Sequence, residues 1–273
     1  MMRTGLRMNR WQVAALVVAL AVVVAGKQYY RHASAGELGW ILSPTARMVG
    51  AVSGGDFGYE AGAGWIDRDL RYAIVPACAG LHFALAAFLA LVLGGLPAMR
   101  TRRAAAGRLA SAAVLAYLGT LVVNTTRIAI AIAMHRGTID VGGLDHGEVH
   151  RLEGVVVYLG GLCALYALAR AVHTRKVRHA LLAERLRRLG WMAVPIAAYL
   201  VVTLGLPAAN GAARSGEFLR HAGWVIAGCV AVVAAWGVTG VAAGAVATFA
   251  ARGARRRANR RAIPRVASAG GRS

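Results

Sequence analysis

Apolar runs near 20 residues long recur along the chain, at about Trp11–Gly26, Ala73–Leu96, Leu109–Met134, Leu152–Ala171, Trp191–Leu206 and His221–Ala250. A helix needs roughly 20 apolar residues to cross the hydrocarbon core of a bilayer. The pattern therefore predicts an all-α fold, a polytopic helical membrane bundle of about six transmembrane helices. The third and sixth runs exceed what a bilayer requires, which predicts tilt, a kink or an extension past the lipid. Residues 27–72 form the longest stretch outside the spans. Pro44 and the glycines from Gly50 to Gly64 argue there against a long regular helix and leave an interfacial turn or two around Pro44–Val52. FGYE and GWIDRDLRYAIV, rich in aromatic and β-branched residues, predict a small hairpin.

Charge orients this pattern. The net charge is +21, yet 22 of the 32 Lys and Arg fall in four segments that alternate with the rest: the N-terminus, 97–108, 170–188 and the tail from Arg252. Glu184 is the one acid among the 11 Asp and Glu that shares those segments. This is the positive-inside distribution. It predicts both termini in the cytoplasm and accounts for the basic balance without nucleic acid as a partner. The first run is preceded by basic residues but lacks a small-x-small cleavage site, so it is expected to be a retained helix. Residues 173–190 set Val177, Leu181, Leu182, Leu186 and Leu189 among arginines, which predicts a basic cytoplasmic interfacial helix. The expected organisation is a membrane core over 1–172, this interfacial helix, two additional spans over 191–250 and a basic disordered tail over 251–273.

Three groups of unusual chemistry interrupt the apolar runs. Cys78 stands between Pro76 and Gly80 in PACAGLHF, Arg127 lies in NTTRIAIAI, and His150 opens HRLEGVVVYL. With span two entering from outside and span three leaving to it, Cys78 is about 8 Å and Arg127 about 10 Å below one surface at 1.5 Å per residue, and His150 opens span four on that side. An arginine inside a span is costly, so Arg127 should face the interior beside a partner. Asn124, one turn earlier, can accept from it or hold a backbone group. A thiol beside a fixed cation is activated as thiolate. A histidine in reach can carry its proton to a leaving amine, and the guanidinium can hold an oxyanion. The parts suit acyl transfer on a peptide carbonyl. His82, four residues after Cys78 on the same predicted helix face, and His146 are alternative bases, while Glu153 is placed to orient His150 or pair with Arg151. His146, Glu148 and His150 do not have the spacing of a zinc helix, and neither a metal nor another cofactor is called for. Cys163 and Cys229 lie in apolar mid-span sequence and read as packing residues. Tyr59, Glu60 and Trp65 either grip an extended substrate or pack within their own loop. Trp11, Trp191 and Trp224 read as interface anchors.

PACAGLHF, NTTRI and HRLEG, in that order on successive helices, resemble the Cys, N-x-x-R and H-x-x-x-G motifs of the exosortase/archaeosortase family. LSPTARMVG and FGYEAGAGW add a similarity to the exosortase K type, and the likeness spans roughly residues 11–172. Ala79 departs from the serine that many members carry after the cysteine. The resemblance implies a membrane-embedded cysteine protease or transpeptidase at the outer face of the bacterial cytoplasmic membrane. Its nucleophile would be Cys78, its stabilising cation Arg127 and its acid/base His150. Its partners would be exported proteins whose C-terminal tail carries a short motif, an apolar segment and a basic end. Two other readings use the same residues: a non-enzymatic transporter or assembly scaffold that binds an anionic group at Arg127, and a cysteine acyltransferase acting on lipid.

Overall fold

The computed structural model describes residues 8–137, 146–173, 189–211, 213 and 215–237. Residues 174–188 of the expected interfacial helix, the last span beyond Gly237 and the basic tail lie outside the described residues. The chain is mostly helical, and among the described residues six helices are long and apolar enough to cross a membrane. In chain order they are α1 (Arg10–His32), α3 (Leu81–Gly95, the helical part of the span Pro76–Ala98), α4 (Arg102–Arg136), α5 (His146–His173), α6 (Gly190–Ala209) and α7 (Gly216–Gly237). Asn9 and Gln12 close a capping box at the start of α1, and Gln12 Nε2 also donates to the Leu96 carbonyl at 3.0 Å. That bond ties the beginning of the first span to the end of the second.

Helix α3 is the axis of the bundle. Its span is 61% buried, against 17–28% for the other five, and it packs against α1, α4, α5 and α6. In a bilayer, lipid tails are as apolar as leucine, so helices adhere by close contact rather than by escape from water. The α4–α5 seam shows this at two glycines of α5: a Cβ on Gly154 would lie 3.1 Å from Arg127 Nε, and one on Gly161 would lie 2.7 Å from Val123. Cys163 is fully buried in the main core and Cys229 packs against it, as expected of small apolar residues. Trp191 does more than anchor an interface, since it stacks on Tyr166 and meets Trp236 edge-on.

The stretch 27–72 is more regular than its composition suggests. Gly39–Ser53 forms a full 15-residue helix, α2, where only a turn or two was expected. Two devices reconcile it with its breakers. Pro44 cannot donate to the Trp40 carbonyl, and Tyr117 Oη from α4 donates to that oxygen instead, at 3.0 Å. Gly50 is carried within the last turns, and the helix ends only at Gly54, in the left-handed conformation of a C-cap (φ 74°). Ile41, Leu42, Thr45, Ala46 and Val49 form the buried stripe of α2 against α4.

The anticipated hairpin is a three-stranded antiparallel sheet, β1 (Gly58–Glu60), β2 (Gly64–Asp67) and β3 (Tyr72–Ile74), with Tyr59 opposite Trp65 and Trp65 opposite Ile74. The rings of Tyr59 and Trp65 meet at 4.8 Å, and Arg68 reaches Glu60 at 2.9 Å. These residues therefore pack within their own loop. Buried Asp67 fastens the sheet to its surroundings, accepting from the Asp56 and Leu70 amides at 2.5 and 2.7 Å.

Helix α6 contains one π-helical turn, Val201–Gly205. The Leu206 amide bonds back to Val201, and the next position, Pro207, has no N–H to offer. The Val202 carbonyl is thereby left to an outside donor, and Lys27 Nζ of α1 takes it at 2.7 Å.

Candidate active site

The apolar run after β3 was expected to be helical from Ala73, with Cys78 in its first turns. Instead Tyr72–Ile74 completes the sheet, Pro76–Cys78 makes a single 3-10 turn, and α3 starts only at Leu81. Pro76 begins the turn, and Gly80, left-handed at φ 67°, breaks it from the helix. Cys78 thus lies on a short non-helical connector at the head of the central helix. The one helix face expected to carry both Cys78 and His82 is therefore interrupted at Gly80. The His82 ring instead meets Tyr30 edge-on at 5.1 Å.

The connector is held from two sides. Tyr30 Oη of α1 donates to the Pro76 carbonyl at 3.1 Å, and Asn124 Nδ2 of α4 donates to the Cys78 carbonyl at 2.6 Å. Asn124 is completely buried, and its Oδ1 accepts from Tyr158 Oη of α5 at 2.7 Å. The amide thus spends one end on each neighbour and fixes the level at which cysteine loop, α4 and α5 meet. Gly80 permits the approach, because a Cβ there would lie 2.9 Å from Asn124 Cγ. Gly80→Ala is therefore expected to impose both the left-handed penalty of about 1–2 kcal/mol and a displaced Asn124. Its thermal unfolding in detergent should fall by several degrees, and reaction of Cys78 with a maleimide should change in rate.

Arg127 follows Asn124 by three residues, on the same face of α4. Its guanidinium lies 5.3 Å from the centre of the Tyr158 ring, and Nε stands 3.9 Å from Glu153 Oε2, with side chains only 15% and 8% exposed. At that separation the pair is ionic contact rather than a hydrogen bond. Glu153, expected to orient His150 or pair with Arg151, stands beside Arg127, where Gly154 lets the two helices close. From the sheet, Tyr72 looks onto the same group: burial pushes its phenol above the ordinary range, reinforced by Cys78, opposed by Arg127 and reinforced by Glu153. The half-buried Cys78 is brought to the level of the guanidinium by Asn124, which holds the Cys78 carbonyl three residues before Arg127 on α4.

His150 and His146 stand in the first turns of α5, and their side chains lie outside the described residues. By backbone position His150 is one turn before Gly154 and two before Tyr158. Three residues of this layer carried no signal when the sequence was read: Tyr158, Tyr30 and Tyr72. Tyr158 was legible in principle, since His150, Gly154 and Tyr158 repeat at four-residue spacing and so follow one stripe of a helix. The tyrosines at 30 and 72 sit at the edges of apolar runs, where an aromatic ordinarily marks the interface.

Among the described residues, no group of three or more His, Cys, Asp or Glu is arranged to hold a metal ion. Comparison of the chain with protein-family models, with curated proteins and with solved structures gives no match.

Proposed function

We propose that this chain is a membrane-embedded cysteine peptidase or transpeptidase of the exosortase/archaeosortase kind, with Cys78 as nucleophile, Arg127 as the stabilising cation and His150 as acid/base. The observation that carries this reading is the Asn124 bridge, which joins the carbonyl of Cys78 to Tyr158 one helical turn from Arg127. A cysteine packed merely to fill space needs no buried arginine in its layer, and a buried arginine is among the costliest residues to keep in a span.

In the proposed reaction the Cys78 thiol gives its proton to the imidazole, and the sulfur attacks the scissile carbonyl carbon. Negative charge develops on the carbonyl oxygen, where the guanidinium stabilises it. The C–N bond breaks as the imidazolium protonates the leaving amine, and an acyl thioester remains on Cys78. Water or an acceptor amine then attacks the thioester, and the thiol is regenerated. The substrates are exported proteins whose C-terminal tail carries a short motif, an apolar segment and a basic end. The site faces outward across the bacterial cytoplasmic membrane, with both termini inside, as the alternation of basic loops supports.

The test uses a Cys163→Ala/Cys229→Ala background, in which Cys78 is the single thiol. An exported reporter with such a tail is followed by gel shift before and after treatment with a membrane-impermeant maleimide. Processing should stop in proportion to Cys78 labelling. Full processing by completely labelled protein would refute the assignment.

A further inference from the structure

The two C-terminal spans, which the cysteine layer does not require, enclose something with the core. A cavity of about 460 Å³ opens between α1, α3, α4 and α5 on one side and α6 and α7 on the other. Its polar lining is one-sided in charge: Lys27, Arg127 and Arg151, with His82 and His221 between them. A second cavity of about 560 Å³ shares Lys27, His82 and Pro207 with the first and adds Arg31. No carboxylate lines either cavity among the described residues. The remaining walls of the first are largely apolar or aromatic, including Val155, Tyr199 and Phe218.

Two of these cations are available to a ligand. Arg127 leans toward Glu153, but Lys27 gives, among the described residues, one hydrogen bond, to the Val202 carbonyl, and an ammonium has three protons. Arg151 is exposed at the start of the α5 span. Keeping several cations around an apolar chamber, with no acid among its lining residues, disfavours an empty chamber by mutual repulsion. An anion relieves this, and planar guanidinium with ammonium is the donor set that suits phosphate oxygens. The chamber lies among membrane-spanning helices, and its walls suit hydrocarbon. We infer that it binds a phosphate carried by an amphiphile, namely an anionic phospholipid, with the headgroup phosphate between Lys27 and Arg151 and the apolar part against Val155, Tyr199 and Phe218. On this assignment the job of α6 and α7 is to complete a lipid site beside the cysteine layer. The inference does not depend on Cys78 acting as a nucleophile.

The experiment incorporates the full chain in nanodiscs of phosphatidylcholine containing one fifth phosphatidylglycerol, then extracts it into detergent and measures the co-purified lipid by native mass spectrometry. A ratio of co-purified phosphatidylglycerol to phosphatidylcholine at least about tenfold above that of the mixture is expected, since two charge-assisted contacts to a phosphate are worth that much or more. Lys27→Gln/Arg151→Gln should bring retention down to the mixing ratio. Lys27→Arg/Arg151→Lys, which keeps both charges, should hold it, and so should Cys78→Ala. Inorganic phosphate at 10 mM, on the order of a weak anion's dissociation constant, distinguishes the source of the anion. Failure to displace the lipid supports an amphiphile. Complete displacement would overturn the lipid assignment in favour of a free anion. Retention in the mixing ratio by the unaltered protein, or an unchanged preference in the charge-removed variant, would overturn the site itself.

Discussion

Cys78→Ala is expected to leave the protein folded and inserted while processing falls at least about a thousandfold, to background, because the proposed nucleophile of the first step is gone. The structure explains why the two effects separate. The bonds that hold the cysteine connector, from Tyr30 and Asn124, end on backbone carbonyls and survive any change of side chain at position 78. The sulfur itself is only half-buried, so its removal costs on the order of 1 kcal/mol of packing. Unfolding in detergent should therefore match the unaltered protein within a few degrees. Pulse-labelled reporter would accumulate uncleaved. Processing that persists at a tenth of the original rate would remove Cys78 from the chemistry and favour an amide-holding role for the loop.

The second large effect belongs to Arg127. Arg127→Gln removes the cation beside a carboxylate that is itself nearly buried, and breaking such a pair costs roughly 3–5 kcal/mol. Lost activity in that variant alone would be ambiguous, since a misfolded bundle is inactive for any cause. Arg127→Gln/Glu153→Gln resolves it. The doubly neutral pair should recover most of the thermal stability, because neutral amides replace both charges and no unpaired charge is left buried. Processing should nonetheless stay about 100- to 1,000-fold low, the size of effect seen when a donor to a developing oxyanion is lost. Arg127→Lys keeps the charge without the planar fork and should fall between. Recovery of processing together with stability in the double variant would make Arg127 a structural residue.

The six spans were legible because their signal is long. An apolar run of 20 residues has one economical solution in lipid, where every backbone group must be satisfied within the segment. Short elements were harder. Tyr72–Leu96 reads as one continuous apolar stretch, and a buried strand, a proline turn and a buried helix all supply such residues, so the break at Gly80 that sets Cys78 off from α3 was hidden. Helix α2 failed in the opposite direction. Its glycines and Pro44 looked like breakers, yet a tyrosine 73 positions after that proline supplies the donor that keeps the helix intact. No local window contains that information. The partners within the candidate site follow the same rule. Asn124 was legible beside Arg127 by its i−3 spacing, whereas the contact of Arg127 with Glu153 depends on how closely α4 and α5 approach, which spacing along one helix does not encode.

That approach has a corollary for which residues the chain can exchange. The distance between α4 and α5 is gauged by the missing side chains at Gly154 and Gly161, seven residues apart, so the reach of Arg127 to Tyr158 and Glu153 is calibrated by two residues that offer no chemistry of their own. A methyl group at either would act as a shim, prying the guanidinium away from its layer while leaving every reactive atom in the molecule unaltered.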